Sequence, residues 1–133
     1  MQLKPFIDAQ DARLMLEVAI KAAEEANLAM SVAVVDAAGY PIALQRMDRA
    51  GLMTADVALR KARTAALLRA PSRVLADRVA ADPALLRLTD YLPMAGGLPV
   101  LADGAVAGAI GVSGGTPDQD ETVGKAGIAA LER

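Results

Sequence analysis

At 133 residues the chain has the length of one domain, enough for a core and too little for two, so residues 1–133 are read as a single unit. Hydrophobic residues make up 54% of it, yet no apolar run approaches the ~20 residues that a membrane span requires, which excludes a membrane partner. A net charge of −2 and only three aromatics, two Tyr and one Phe, exclude a stacking platform and argue against a nucleic-acid partner.

The chain has no Cys and no His. Disulfides, thiol nucleophiles, thiolate zinc sites and imidazole bases all fall away together, and no metal site is expected. Proton transfer would rest with Asp, Glu, Lys or Tyr. The start, Met1 to Phe6, shows no secretory apolar region, so the expected location is the cytoplasm. Charge is unevenly spread: eight basic residues between Arg46 and Arg78 face Asp48, Asp56 and Asp77, whereas the last thirty-four residues carry five acids. A basic middle of this kind could bind an anion or pair within the fold. With so few aromatics the core must be built from Ala, Val, Leu, Ile and Met, and Ala buries little area. Self-association would bury more, so a homo-oligomer is expected.

In chain order, Asp8 can cap a helix to about Ala26, with Asn27 at its C′ position. Its apolar residues cover more than half the circumference, leaving Arg13, Glu17, Lys21 and Glu24 as the solvent stripe, so two neighbours are expected, such as the sheet and another subunit. Met30 to Asp36 reads as a strand buried on both faces. Ala37 to Gly39 turns it into a second strand, Tyr40 to Arg46. Thr54 can cap a second helix to about Leu68, stopped by Pro71, and Ser72 can open a short third one to about Ala80. Pro83, Pro93 and Gly96-Gly97 break up the stretch that follows. Asp103-Gly104, between the apolar runs Leu98–Ala102 and Ala105–Val112, is the pair a type I′ hairpin requires. Gly108 and Gly111 weaken the second run unless another backbone or a ligand comes close. Thr116, Pro117 and Gln119 then start a last helix with a capping box. The fold class is therefore α+β, an antiparallel sheet flanked by helices.

Two residues break the pattern of their helices. Lys61 falls within the apolar arc of Ala58, Ala62, Ala65 and Leu68, and Asp120 projects from the apolar face of the last helix. Lys61 could snorkel to water, and Asp120 could simply face the first-turn amides. Alternatively, if both helices lie on one sheet, the two heads meet in a polar spot and serve as catalytic or ligand-binding groups. Ser113 and Gly114, before a helix N-terminus, are candidate anion-binding residues, although three acids in the same turn would oppose a phosphate. Arg46 and Asp48 are loop-edge charges that could touch a ligand, and Met47 and Met53 are candidate thioether ligands for a haem iron. Adjacent Asp118, Asp120 and Glu121 diverge around one helix, which makes them a poor metal site.

Taken together, Val32 to Asp36 with Gly39, Arg46-Met-Asp48, Lys61 to Ala66, Gly96 to Pro99, Val106 to Gly114 and Thr116 to Glu121 resemble the GlcG/HbpS family over nearly the whole chain. The resemblance implies a five-stranded antiparallel sheet in a profilin-like sandwich, the fifth strand falling between Leu88 and Met94. It implies a tetramer to octamer and a small-molecule ligand, anionic by expectation, with haem, a corrinoid or a small organic acid as its class. It places Lys61, Arg63, Thr64, Gln119, Asp120 and Glu121 at the family's polar positions. The absence of His puts histidine-ligated haem out of reach. Binding without chemistry is the first reading. A cofactor-free enzyme acting on a small carbonyl or hydroxy acid is the second, with Lys61 or Asp120 moving the proton and Arg63 or Arg46 holding a carboxylate.

Overall fold

Asp8 starts the first helix as its sequence demands: its carboxylate accepts the Asp11 N–H at 2.8 Å, and Asp11 returns the bond to Asp8 N–H. The structure, a computed structural model, describes residues 1–88 and 90–132. Helix α1 spans Ala9–Glu25 and stops at Asn27, whose φ of 57° is the left-handed conformation Asn tolerates. Strands β1 (Ser31–Asp36) and β2 (Pro41–Arg46) form the first hairpin. The Asp36 carboxylate accepts the Ala38 and Tyr40 N–H groups within its turn. Helices α2 (Thr54–Leu68) and α3 (Ser72–Ala81) follow, then a 3₁₀ turn, Pro83–Arg87. Strands β3 (Gly97–Ala102) and β4 (Ala105–Ser113) and helix α4 (Pro117–Ala129) complete the order.

The sheet runs β2-β1-β4-β3 with every pairing antiparallel. Four strands were legible and four are present among the described residues. The further strand expected between Leu88 and Met94 is not formed by residues 90–94, which are bends and irregular chain; Thr89 lies outside the described residues. Pro93 removes a ladder donor there, and both edge strands already carry a proline of their own, Pro41 and Pro99. The β3–β4 turn has Asp103 at φ 51° and Gly104 at φ 76°, the two positive values of a type I′ hairpin.

Alternation sorts the two faces. Val32, Val34, Leu98, Ile110 and Val112 pack under α1 and α4 in the main core, whereas Val35 and Ala109 pack with Ala62, Ala65 and Ala66 of α2. The second neighbour of the wide α1 stripe is thus α4 of the same chain. A methyl group at Gly111 would run into the Ala58 carbonyl oxygen and Ala62 of α2, and one at Gly108 into Ile7. These close approaches explain glycine inside β4. Thr54 is not the cap expected of it. Met53 holds that place without a side-chain bond, while the Thr54 hydroxyl donates to Gly51 O at 2.6 Å and so must accept from Ser31 Oγ at 2.8 Å. Among the described residues no helix is long and apolar enough to cross a membrane.

Candidate functional site

Because α2 and α4 lie on opposite faces, Lys61 and Asp120 meet around the end of the β3–β4 pair and not on one surface. Lys61 extends past the start of β3, where Gly96 and Gly97 leave it room: a side chain at Gly96 would come within 2.9 Å of its Nζ, and one at Gly97 would strike the Lys61 carbonyl oxygen. The ammonium donates to Asp120 Oδ2 at 2.8 Å and to Val112 O at 3.0 Å. Asp120 Oδ1 accepts the Gly115 N–H at 2.9 Å. Both side chains are 3% exposed. Burial pushes the Asp120 carboxyl up from its ordinary value of 3.8, against the opposing pull of the Lys61 hydrogen bond, the Gly115 N–H and the Lys61 charge.

This pair lines a pocket of about 360 Å³ bounded by α3, the 93–95 segment and the start of α4. The size suits a small organic molecule. An ammonium has three hydrogens; among the described residues Asp120 and Val112 take two, which leaves Lys61 one donor for a ligand oxygen. Lys61 and Arg73 are matched in the lining by Asp77 and Asp120, so the wall is charge-balanced and not the cationic surface expected for an anion. Met94, Ala95, Pro93 and Ala76 supply the apolar part.

Two hydroxyls fix that wall. Thr64 Oγ1 accepts the Leu92 N–H at 2.8 Å while donating to Arg60 O. Ser72 Oγ donates to Met94 O at 2.6 Å and accepts the Gly97 N–H at 2.9 Å. Thr64 is therefore a positioning residue for the segment that carries Met94. Ser72 went unnoticed in the sequence because a serine opening a helix reads as local capping.

The remaining candidates are dispersed. Ser113 lines the pocket. Gly114 is exposed, and the amides after it are taken: Gly115 N–H by Asp120, Thr116 N–H by Gln119 Oε1 at 2.9 Å. At the candidate anion cradle of Ser113 and Gly114 the Gly115 and Thr116 amides are thus engaged by side chains of the following helix, and Gln119 serves the capping box. Glu121 turns to α3, where its Oε1 accepts from Arg73 Nε at 3.0 Å, and Arg73 Nη2 also donates to Asp118 Oδ1 at 2.8 Å. Arg63 lies over the Tyr40 ring, 5.6 Å from its centroid, at the β1–β2 turn. Arg46 is exposed at the end of β2, and Asp48 lines a different hollow with Glu24, Asn27 and Arg49. Arg73 is the pocket cation that the sequence did not single out. Its only signal was the cluster Asp118, Asp120 and Glu121 at the start of the last helix, which has Lys125 as its one cation before the terminal Arg133. Among the described residues no group of three or more His, Cys, Asp or Glu could hold a metal ion.

A family model described as Haem degrading protein HbpS-like matches residues 7–129. Protein GlcG of Escherichia coli K12 is 35% identical over 114 residues, covering 85% of each chain. Among solved structures, a double mutant of HbpS from Streptomyces reticuli superposes with a TM-score of 0.94 at 38% identity, covering all of this chain and 92% of that one. A PduOC:haem complex superposes with a TM-score of 0.88 at 27% identity, covering 96% of each.

Proposed function

The chain belongs to the HbpS-like family, and on that premise we propose that it is a small-molecule-binding protein whose site is the pocket beside Lys61 and Asp120. The observation that carries this is the buried ion pair opening onto a space of about 360 Å³ with one ammonium hydrogen unspent among the described residues. The ligand presents a carbonyl, hydroxyl or carboxylate oxygen to Lys61 and rests an apolar body on Met94, Pro93 and Ala76.

Haem is named with one structural relative, and the donor set here fits it poorly. Met47 Sδ already accepts the Met30 N–H at 3.3 Å, and Met53 stands 73% exposed ahead of α2. Met94 brings a sulfur to the pocket lining, in a wall that also holds the Asp77 and Asp120 carboxylates. No imidazole or thiolate exists anywhere in the chain. The site is better matched to a compact oxygen-bearing ligand.

The test is a titration of the ¹⁵N-labelled protein with 2-hydroxybutyramide, uncharged and small enough for the pocket. Saturable shifts confined to Gly97, Ser113 and Gly115 amides, lost on Lys61→Met, are expected. Shifts scattered over the surface, or none, sink the reading. Haemin with a saturable Soret change that survives Lys61→Met would place a tetrapyrrole elsewhere and displace it.

One observation favours an enzyme as the second reading: Asp120 is a buried carboxyl, pushed up, in hydrogen-bond contact with a lysine and lining a pocket. Exchange of the C3 hydrogens of 2-oxobutyrate in heavy water, faster with protein than without and abolished by Asp120→Asn, would establish it. The expected homo-oligomer rests on exposed Leu44, Leu52, Met53 and Leu101. Elution at the mass of one chain removes it.

A further inference from the structure

We propose that Arg73 is the carboxylate anchor of this pocket, which makes the ligand a small organic acid with its carbonyl or hydroxyl oxygen on Lys61. The inference rests on the pocket reading above and adds to it the chemical class of the ligand and the residue that selects it. Arg73 stands in the pocket wall with Asp77 four residues on in its own helix, yet among the described residues its ion pairs are with two side chains of α4 instead. Those two holds are unequal. Glu121 is 13% exposed and engages both Nε and Nη2 at 3.0 Å, so it orients the guanidinium. Asp118 is 91% exposed and takes a single bond from Nη2 at 2.8 Å. A carboxylate that open to water gives up little when its partner leaves.

A guanidinium carries five N–H groups in a planar fork. The bonds to Glu121 and Asp118 use Nε and Nη2, and no bond from Nη1 is present among the described residues. A ligand carboxylate can therefore take Nη1 outright, or replace Asp118 on Nη2 while Glu121 keeps the fork in place. Asp118 is then a stand-in: it occupies the anion position when the pocket is empty and yields it to an acid. Asp120 is neutralised by Lys61, and on Arg73 the incoming charge substitutes for that of Asp118. That leaves Asp77 as the one wall carboxylate outside any ion pair among the described residues, to be kept at a distance by the ligand's acid group. Lys61 at the inner end and Arg73 at the mouth give two points of recognition, and a compact hydroxy or oxo acid satisfies both.

Matched probes separate the anchor from the pocket. Titration with 2-hydroxybutyrate and with its uncharged amide, followed at the Gly97 and Gly115 amides, should show the acid binding about tenfold more tightly, the yield of one charge-assisted hydrogen bond. Arg73→Gln should bring that ratio to about one, the acid losing far more affinity than the amide, whereas a merely structural role for Arg73 would weaken both alike. Asp118→Asn, remote from the core, should tighten the acid several-fold by removing its competitor. An acid-to-amide ratio that Arg73→Gln does not move, or an Asp118→Asn protein that binds the acid no better, overturns the anchor while the pocket stands. If neither probe moves the pocket amides, the pocket reading fails and the anchor with it.

Discussion

Two ionic clusters border one pocket, a single pair and a triad, and they differ in almost every physical respect. Lys61 and Asp120 are 3% exposed, come from helices on opposite faces of the sheet, and are held further by Val112 O and the Gly115 N–H, with one ammonium hydrogen left for a ligand. Arg73 with Asp118 and Glu121 joins α3 to α4 at the mouth, where the arginine side chain is 40% exposed. Inside, taking two charges from water costs several kcal/mol per ion, and attraction recovers it only when both partners remain. Outside, water and salt screen the attraction, and any partner can be exchanged for water or a ligand. The difference teaches that the inner pair sets the shape of the site, whereas the outer triad is free to respond to what enters.

Breaking the inner pair is the harshest test of that contrast. Lys61→Met should lower stability by about 3–5 kcal/mol in urea unfolding, because it strands a buried carboxylate beside an unanswered Val112 carbonyl. Adding Asp120→Asn removes the stranded charge and leaves an amide oxygen for the Gly115 N–H. The double variant should recover more than half of the loss. Equal instability of single and double variants would mean that Lys61 matters for its packing and not for its charge.

A smaller effect follows from pH. Burial raises the Asp120 carboxyl in the folded chain above 3.8, so between that value and the raised one the native state holds a proton that the unfolded chain has released. Stability contributed by Asp120 is complete below 3.8 and declines as pH rises through the folded value. Comparing urea midpoints of the wild type and Asp120→Asn across this range should show the wild type losing ground as pH climbs. In Lys61→Met the pull that held the carboxyl down is gone, so the decline extends to higher pH. A difference that stays flat in pH would contradict the sign.

Much of this was legible in the residues themselves. The four strands, the four helices and the Asp103-Gly104 hairpin follow from local chemistry, because caps, turns and apolar period act within a few residues of one another. Lys61 and Asp120 could be marked as anomalies by helical phase alone. Their route to each other could not, since it depends on α2 and α4 taking opposite faces and on Gly96-Gly97 clearing the path, and in the sequence those glycines read as a chain break. Arg73, Ser72 and Thr64 act between elements: a guanidinium reaching from α3 to α4, or a hydroxyl holding the 92–97 segment, has no periodicity. Thr54 shows the converse error. A threonine at a helix start is a good cap by local rules, yet here a neighbouring strand offers Ser31 Oγ and the hydroxyl turns to it.

The mildest prediction concerns the outer triad. Arg73→Gln removes one charge from a cluster in which Asp118 is almost wholly in water, so the urea midpoint should hardly move, and less still at molar salt. What small loss there is should come through Glu121, the more enclosed partner, and Glu121→Gln should reproduce it while Asp118→Asn should not. Should Arg73→Gln instead destabilise as heavily as Lys61→Met, the pair and the triad would form one structural unit. The mouth would then be a strut of the fold, unable to trade Asp118 for a ligand without loosening α3 from α4.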